Sequence, residues 1–336
     1  MSIDIERFDP DERERWNDLV ERSSQTTPFH RYEALEVLAD DADADAQLCP
    51  LVGFKGQEPV GLFPAFRISK GPLSAAFSPP PDLKVSYLGP ALLNFEKLKR
   101  RKAERRHDSF VSGCIEHLDT EWNPNFTQIR TGPWYDDPRP FVWNDFDVDP
   151  VYTYVVDLTV DRDTLLQSFS SDARRNATKD SDADVEITIG DRRSALRIIT
   201  QVAERHARQG ESYRLSPETV AELYDRLGSE RIRPYVCRID GEFVGGVVVT
   251  EDDSTVYRWQ GGAKPKTDVP INDRLDWQIM TDAMDRGIDR YDLVGANNQR
   301  LCGYKSKFAP DLYTYYSVQH ATPGLGLVSH LYKQIR

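Results

Sequence analysis

No run of about 18 apolar residues, the length a membrane-crossing helix requires, occurs in the chain. The opening residues MSIDIERFDPDERERW are charged where a secretory leader would need an apolar stretch, so a cytoplasmic protein is expected. Cysteine is scarce. Cys49, Cys114, Cys237 and Cys302 lie far apart, without the paired spacing of a metal site or a disulfide framework, and read as buried small hydrophobes. Lysine is scarcer than its partner charges: 12 Lys stand against 36 Asp, Arg supplies most of the positive charge, and the net charge is -12. Such a surface suggests a halophile, because salt near 1 M shortens the screening length to about 3 Å and quiets the self-repulsion. The global field opposes nucleic acid. DNA is not expected as a partner, and RNA or phosphate would need a local basic patch.

What is present is the composition of a folded protein, with ten per cent aromatics and scattered Gly and Pro. At 336 residues the chain exceeds the size of a single core, which favours two domains. Two segments mirror each other: LVGFKGQEPVGLFPAF (51–66) and YVCRIDGEFVGGVVVT (235–250). In each an apolar run meets a Gly-containing turn, and a Val-Gly pair opens a second apolar run, which predicts two β-hairpins roughly 185 residues apart. Helical patterns precede both, at 11–22 and 28–39, then at 192–209 and 216–228, the last opened by Ser216-Pro217-Glu218. The repetition predicts a duplicated α+β unit. A boundary is expected near Asp149 and Pro150, after the loop-like WYDDPRPFVWNDFDVDP, with VYTYVVDL beginning a strand at Val151.

The segment EKLKRRKAERRHDSF (96–110) is the densest positive charge and predicts an exposed helix, either a solvated face or a surface for an anionic partner such as RNA. After the second hairpin, residues 254–295 parse as strand, Gly-rich loop, helix and strand. Asn272 or Asp273 can cap the helix, Leu275, Ile279, Ala283 and Met284 form its apolar stripe, and Gly287 ends it. Gln260-Gly261-Gly262-Ala263 reads either as a tight turn or as a phosphate loop. Lys264 and Lys266 add positive charge beyond it, and Tyr257 and Trp259 place rings on the strand before it.

Trp259-x-Gly261-Gly262-Ala263, Asn272-x-x-Leu275-x-Trp277, Tyr291-Asp292-Leu293-x-Gly295 and Tyr304-Lys305-x-x-Phe308 together resemble the FemAB-type branch of the GNAT acyltransferases. Ser171 to Asn176 resembles the Arg-containing helix start of that domain. The first half is similar more loosely, through Trp16, Phe29-His30, Gly56 and Ser86 to Pro90. The resemblance implies an α+β fold of tandem GNAT-like domains, each a mixed, mostly antiparallel sheet flanked by helices: 1–150, supporting, and 151–336, an acyltransferase. It implies transfer of an acyl (acetyl) group to an amine of a small molecule or cell-envelope precursor. Acyl-CoA is the co-substrate in BioF-like or acetyltransferase relatives and aminoacyl-tRNA the donor in FemAB members; no tightly bound cofactor, metal or membrane span is implied. A catalytically inactive scaffold binding a metabolite or partner is the reading from outside enzymology.

With no nucleophile elbow and no Cys/His pairing in the sequence, direct attack by the amine is favoured over a covalent intermediate. Lys305 is selected to stabilise the oxyanion or a donor phosphate, and Asp292 to orient it or accept the amine proton, against the simpler reading of an Asp–Arg pair. Tyr304 and Tyr257 can hydrogen-bond substrate or merely fill the core. Gln260 to Ala263 are the candidates for the donor pyrophosphate. Arg174 offers a fork to phosphate or carboxylate, Trp259 lines the strand, Asn272 contacts substrate or caps its helix, and His206 is a base or a solvated helical residue. Lys307 is supporting charge.

Overall fold

The computed structural model describes residues 3–43, 45–178, 184–263 and 269–322. The chain begins with β1 (Asp4–Arg7), helices α1 (Arg13–Arg22) and α2 (Tyr32–Ala42), the hairpin β2 (Gln47–Lys55) and β3 (Glu58–Lys70), β4 (Leu73–Ser78) and a two-residue β5 (Ala91–Leu92). The long α3 (Arg100–Trp122) leads to β6 (Phe126–Arg130), α4 (Arg139–Trp143) and β7 (Asp147–Asp157). Then follow α5 (Arg162–Ser168), α6 (Ser171–Thr178), β8 (Val185–Ile189), α7 (Arg192–Arg208), α8 (Pro217–Leu227), and the hairpin β9 (Ile232–Ile239) and β10 (Glu242–Glu251). The last elements are β11 (Thr255–Gly261), α9 (Ile271–Asp285), β12 (Arg290–Asp292), α10 (Gln299–Lys305) and β13 (Asp311–Ala321). No described helix is long and apolar enough to cross a membrane.

Two compact units form. One takes the chain up to Val151 and again from Thr314; the other runs from Tyr152 to Tyr313. In the first, β1–β2, β2–β3 and β3–β4 are antiparallel, β4–β6 is parallel across α3, and β6–β13 is antiparallel. In the second, β8–β9, β9–β10 and β10–β11 are antiparallel, β11–β12 is parallel across α9, and β12–β7 is antiparallel. The same succession of pairings occurs twice, so the fold is a duplicated α+β unit with a mixed, mostly antiparallel sheet flanked by helices. The sixth strand of each unit is exchanged: β7 follows the first repeat and pairs in the second, whereas β13 follows the second and pairs in the first. Residues from Thr314, placed by the sequence reading in a domain 151–336, thus group with the first unit.

Local chemistry explains the elements. Asp240 and Gly241 both have positive φ (49° and 80°), as a two-residue hairpin turn between right-twisted strands requires. Ser216 caps α8 by accepting from the Thr219 N–H at 3.0 Å. Two expectations shift. The stretch before Asp149 contains α4, and β7 starts at Asp147 with Pro150 inside it. Pro270 occupies the N-cap position of α9 and no side chain caps the helix; Asn272 and Asp273 lie within its first turn with their side chains engaged elsewhere.

Each unit has its own core, one around Phe63, Phe110 and Phe141, the other around Tyr235, Leu275, Tyr291 and Phe308. Cys49, Cys114 and Cys237 lie within these cores, while Cys302, on the outer α10, is half-buried. Gly53 and Gly61 face each other across the β2–β3 hairpin, where the ring of Phe110 approaches so closely that a Cβ at either position would stand 2.5 Å from it. Gly61→Ala is therefore expected to lower stability by about 1–3 kcal/mol, read as an earlier urea midpoint with unchanged slope. An unchanged midpoint would mean that α3 yields without cost.

Candidate active site

Strands β11 and β12 pair in parallel only as far as Tyr257 and Asp292. Beyond this, β11 continues to Gly261 along β10, whereas β12 stops and the chain turns through Val294 and Gly295, both with positive φ (52° and 86°). The two strands part at their carboxyl ends, where α/β sheets bind ligands. Arg258 of β11, Asp276 of α9, and Tyr304 and Lys305 of α10 converge there.

Asp276 is fully buried and accepts from three side chains: Arg258 Nε at 2.6 Å, the Tyr291 hydroxyl at 2.6 Å and the Tyr304 hydroxyl at 2.5 Å. Burial and this carboxylate push both phenols well above their ordinary value. Tyr304 is thus held as a neutral, oriented ring rather than offered as a base. Lys305 is 8% exposed, and its ammonium donates to the carbonyls of Val294 (2.8 Å) and Gly295 (2.7 Å). Asp292 holds the same turn from beneath: its Oδ1 accepts from the Val294 N–H at 2.7 Å and from Thr153 Oγ1 at 2.6 Å, and Thr153 Oγ1 accepts from the Gly295 N–H at 2.9 Å. Asp292 and Lys305 thus bind the same turn, the carboxylate through the Val294 N–H and the ammonium through the two carbonyls. Burial, and secondarily the Arg258 charge, lowers the Lys305 pKa to about 8, while Asp292 and Asp276 oppose the shift.

Lys307 diverges from Lys305 because Gln299 to Lys305 is helix and Ser306 to Phe308 a 3-10 turn. Its ammonium pairs with Asp273 and lies 4.1 Å from the Tyr304 ring centre, and Asp273 also accepts from Asn176 of α6 at 2.7 Å. The Lys307 ammonium thus packs against the Tyr304 ring whose hydroxyl is held by Asp276.

The remaining sequence candidates fall elsewhere. Gln260 to Ala263 form neither a tight turn nor an open phosphate loop: the Gly262 N–H donates to Gly246 O at 2.7 Å and the Ala263 N–H to Asn272 Oδ1 at 2.8 Å. A Cβ on Gly261 would stand 2.4 Å from Gly246 O, so the close approach of β10 accounts for that glycine. Asn272 also donates to Ala263 O at 2.8 Å, making it a brace for the strand end. Lys264 and Lys266 lie outside the described residues. The Gln260 side chain accepts from Tyr213 at 2.8 Å, and Tyr213 stacks on His206, which meets Glu211 at 2.7 Å. Arg205 reaches the same strand end, at Gly262 O, over 3.3 Å. Tyr257 donates to Asp252, Trp259 is buried, and Arg174 is engaged with Gln167 O, away from Asp276 and Lys305. Arg258 and Asp276, the centre of the network, are absent from the sequence-based candidates.

Residues 167–306 match the acetyltransferase (GNAT) domain family. That span runs from α5 to the end of α10 and contains the whole Arg258–Asp276–Lys305 cluster. No curated protein matches the sequence. Among solved structures, FemX is similar over 93% of this chain and 96% of its own, with a TM-score of 0.69 at 12% identity. L-PGS from Bacillus licheniformis is similar with a TM-score of 0.58 at 12% identity (98% and 97% covered), and a tandem GNAT protein from the clavulanic acid biosynthesis pathway with 0.55 at 11% (96% and 99%). At these identities the likeness is one of fold alone.

Proposed function

We propose that the GNAT domain transfers an acyl group to an amine by direct attack at the carboxyl ends of β11 and β12. The observation that carries this reading is Lys305, a buried ammonium fixed by two carbonyls that retains a third N–H for a substrate oxygen. The neutral amine attacks the acyl carbonyl carbon, forming the C–N bond. Lys305 stabilises the oxyanion, and collapse expels the leaving group, which takes up the proton shed by the amine. Asp276 and Arg258 hold Tyr304 beside that oxygen. The second unit is the catalytic one in this reading and the first supports it.

Of the two donor classes, an aminoacyl ester fits better than a CoA thioester. A pyrophosphate needs free backbone N–H groups, and among the described residues of the Gly-rich stretch those of Gly262 and Ala263 are engaged. An acceptor stem needs a basic surface instead. Lys97, Lys99, Arg101, Lys102 and Arg105 at the start of α3 are exposed and, among the described residues, form no ion pair, while Arg100 is bonded to Glu104 and buried Arg106 to Glu58. The acetyltransferase family match supports acyl-CoA as the second reading.

Filter retention of aminoacyl-tRNA, run beside calorimetric titration with acetyl-CoA, separates the donors. The expected result is retention that drops at least tenfold when the five α3 cations become Gln, with no heat from acetyl-CoA. Acetyl-CoA binding weakened by Lys305→Ala would replace the ester reading with the thioester one. No binding of either would leave an inactive scaffold.

A further inference from the structure

A second cleft in the Tyr152–Tyr313 unit shares no lining residue with the Lys305 cluster. It has a volume of 1080 Å³ and opens between the first turns of α7 and the edge of the sheet formed by β8, β9 and β10. Arg193 and Arg197 enter it from one face of α7, one turn apart; Arg238 enters from β9, and Phe243 from β10. The Arg197 guanidinium lies 4.0 Å from the Phe243 ring centre. Val236 and Leu196 supply apolar lining, and Ile189, 49% exposed, lies at its rim.

The charge is the unusual part. In a chain of net charge -12, three guanidinium groups meet in one concavity, and none of them forms an ion pair with a carboxylate among the described residues. Other arginines of this unit sit beside a carboxylate, as Arg192 does with Asp225 and Arg226 with Glu222. Asp191 is the one acidic residue lining the cleft, and its Oδ1 is already engaged by the Ser194 N–H at 3.0 Å and hydroxyl at 2.9 Å. Three like charges gathered over one floor favour a multiply charged anion, and guanidinium forks suit phosphate oxygens. A ring stacked under a guanidinium offers a flat platform to a planar group. The volume is that of a small-molecule site.

We propose that this cleft binds a nucleotide, with its phosphates on Arg193 and Arg238 and its base against the Arg197–Phe243 stack. The site stands independently of acyl transfer: none of these residues touches the cluster at Asp276.

Calorimetric titration of the full chain with ATP, with adenosine and inorganic phosphate as partial ligands, tests it at a salt concentration of about 0.5 M, where diffuse attraction is screened. ATP is expected to bind more tightly than either fragment. Arg193→Gln/Arg238→Gln should weaken ATP at least tenfold and Phe243→Leu several-fold, with unchanged melting temperatures because both arginines are solvent-accessible. Arg22→Gln on α1, an exposed arginine outside both sites, should leave binding intact. Absence of ATP binding, binding indifferent to the double substitution, or equal loss in Arg22→Gln would each overturn the proposal.

Discussion

Lys305→Met is expected to reduce the rate of acyl transfer roughly 10²- to 10³-fold, the effect of removing one preorganised oxyanion donor, while the folded state loses little or no stability. The two readouts separate because a buried cation is a poor stabiliser. A lysine held at about 8 instead of 10.5 costs about 3 kcal/mol to keep charged in the folded state. Two carbonyl hydrogen bonds offset part of that cost. The pH dependence has a definite sign. Between about 8 and 10.5 the unfolded chain still binds the proton that folded Lys305 has shed, so this residue makes stability rise with pH in that window. The difference in unfolding free energy between parent and Lys305→Met should therefore change across that range and be flat below it. A large loss of stability at pH 7 with activity intact would make Lys305 a structural residue.

Asp276→Ala should behave in the opposite way. Its carboxylate is fully buried and joins Arg258, Tyr291 and Tyr304, so its removal strands a guanidinium that is only 14% exposed and leaves two buried hydroxyls without their acceptor. Breaking a buried pair in this manner costs about 3–5 kcal/mol. That is a large fraction of an ordinary domain's stability, and the urea midpoint of the Tyr152–Tyr313 unit should fall accordingly. Asp276→Asn, which keeps an acceptor but not the charge, should cost less and still reduce transfer, because Tyr304 is then less firmly held. If Asp276→Ala melted like the parent, Arg258 would have found another partner or water, and the network would lose its claim to position Tyr304.

Much of the architecture is legible before any coordinates. The two hairpins declare themselves through Gly56 and Asp240-Gly241, the α8 start through Ser216-Pro217, and the end of α9 through Gly287, because each depends on neighbours in sequence. The exchange of β7 and β13 is not legible. Alternation marks a strand as half-buried but does not say which strand it pairs with. The same limit applies to the site. Lys305, Tyr304 and Asp292 lie in the segments that resemble FemAB-type proteins; Lys305 and Asp292 both bind the Val294–Gly295 turn, whereas the Tyr304 hydroxyl goes to Asp276. Asp276 and Arg258 carried no such signal: an aspartate in Asn-Asp-Arg-Leu-Asp-Trp reads as the solvated side of a helix until β11, β12 and α10 close over it. Conversely, Gly261 and Gly262 look like a phosphate loop because glycine serves close backbone approach equally well, whether to a pyrophosphate or to a neighbouring strand.

The most direct test of a cationic Lys305 is the pH profile of transfer from an aminoacyl-tRNA to hydroxylamine, an amine already neutral at neutral pH, compared between the parent and Lys305→Arg. The parent should lose activity as pH rises through about 8, where its ammonium deprotonates, whereas the arginine variant, charged throughout, should show no such limb even if its rate is lower. The same limb in both proteins, or activity that rises through that pH in the parent, would contradict a cationic lysine at the oxyanion.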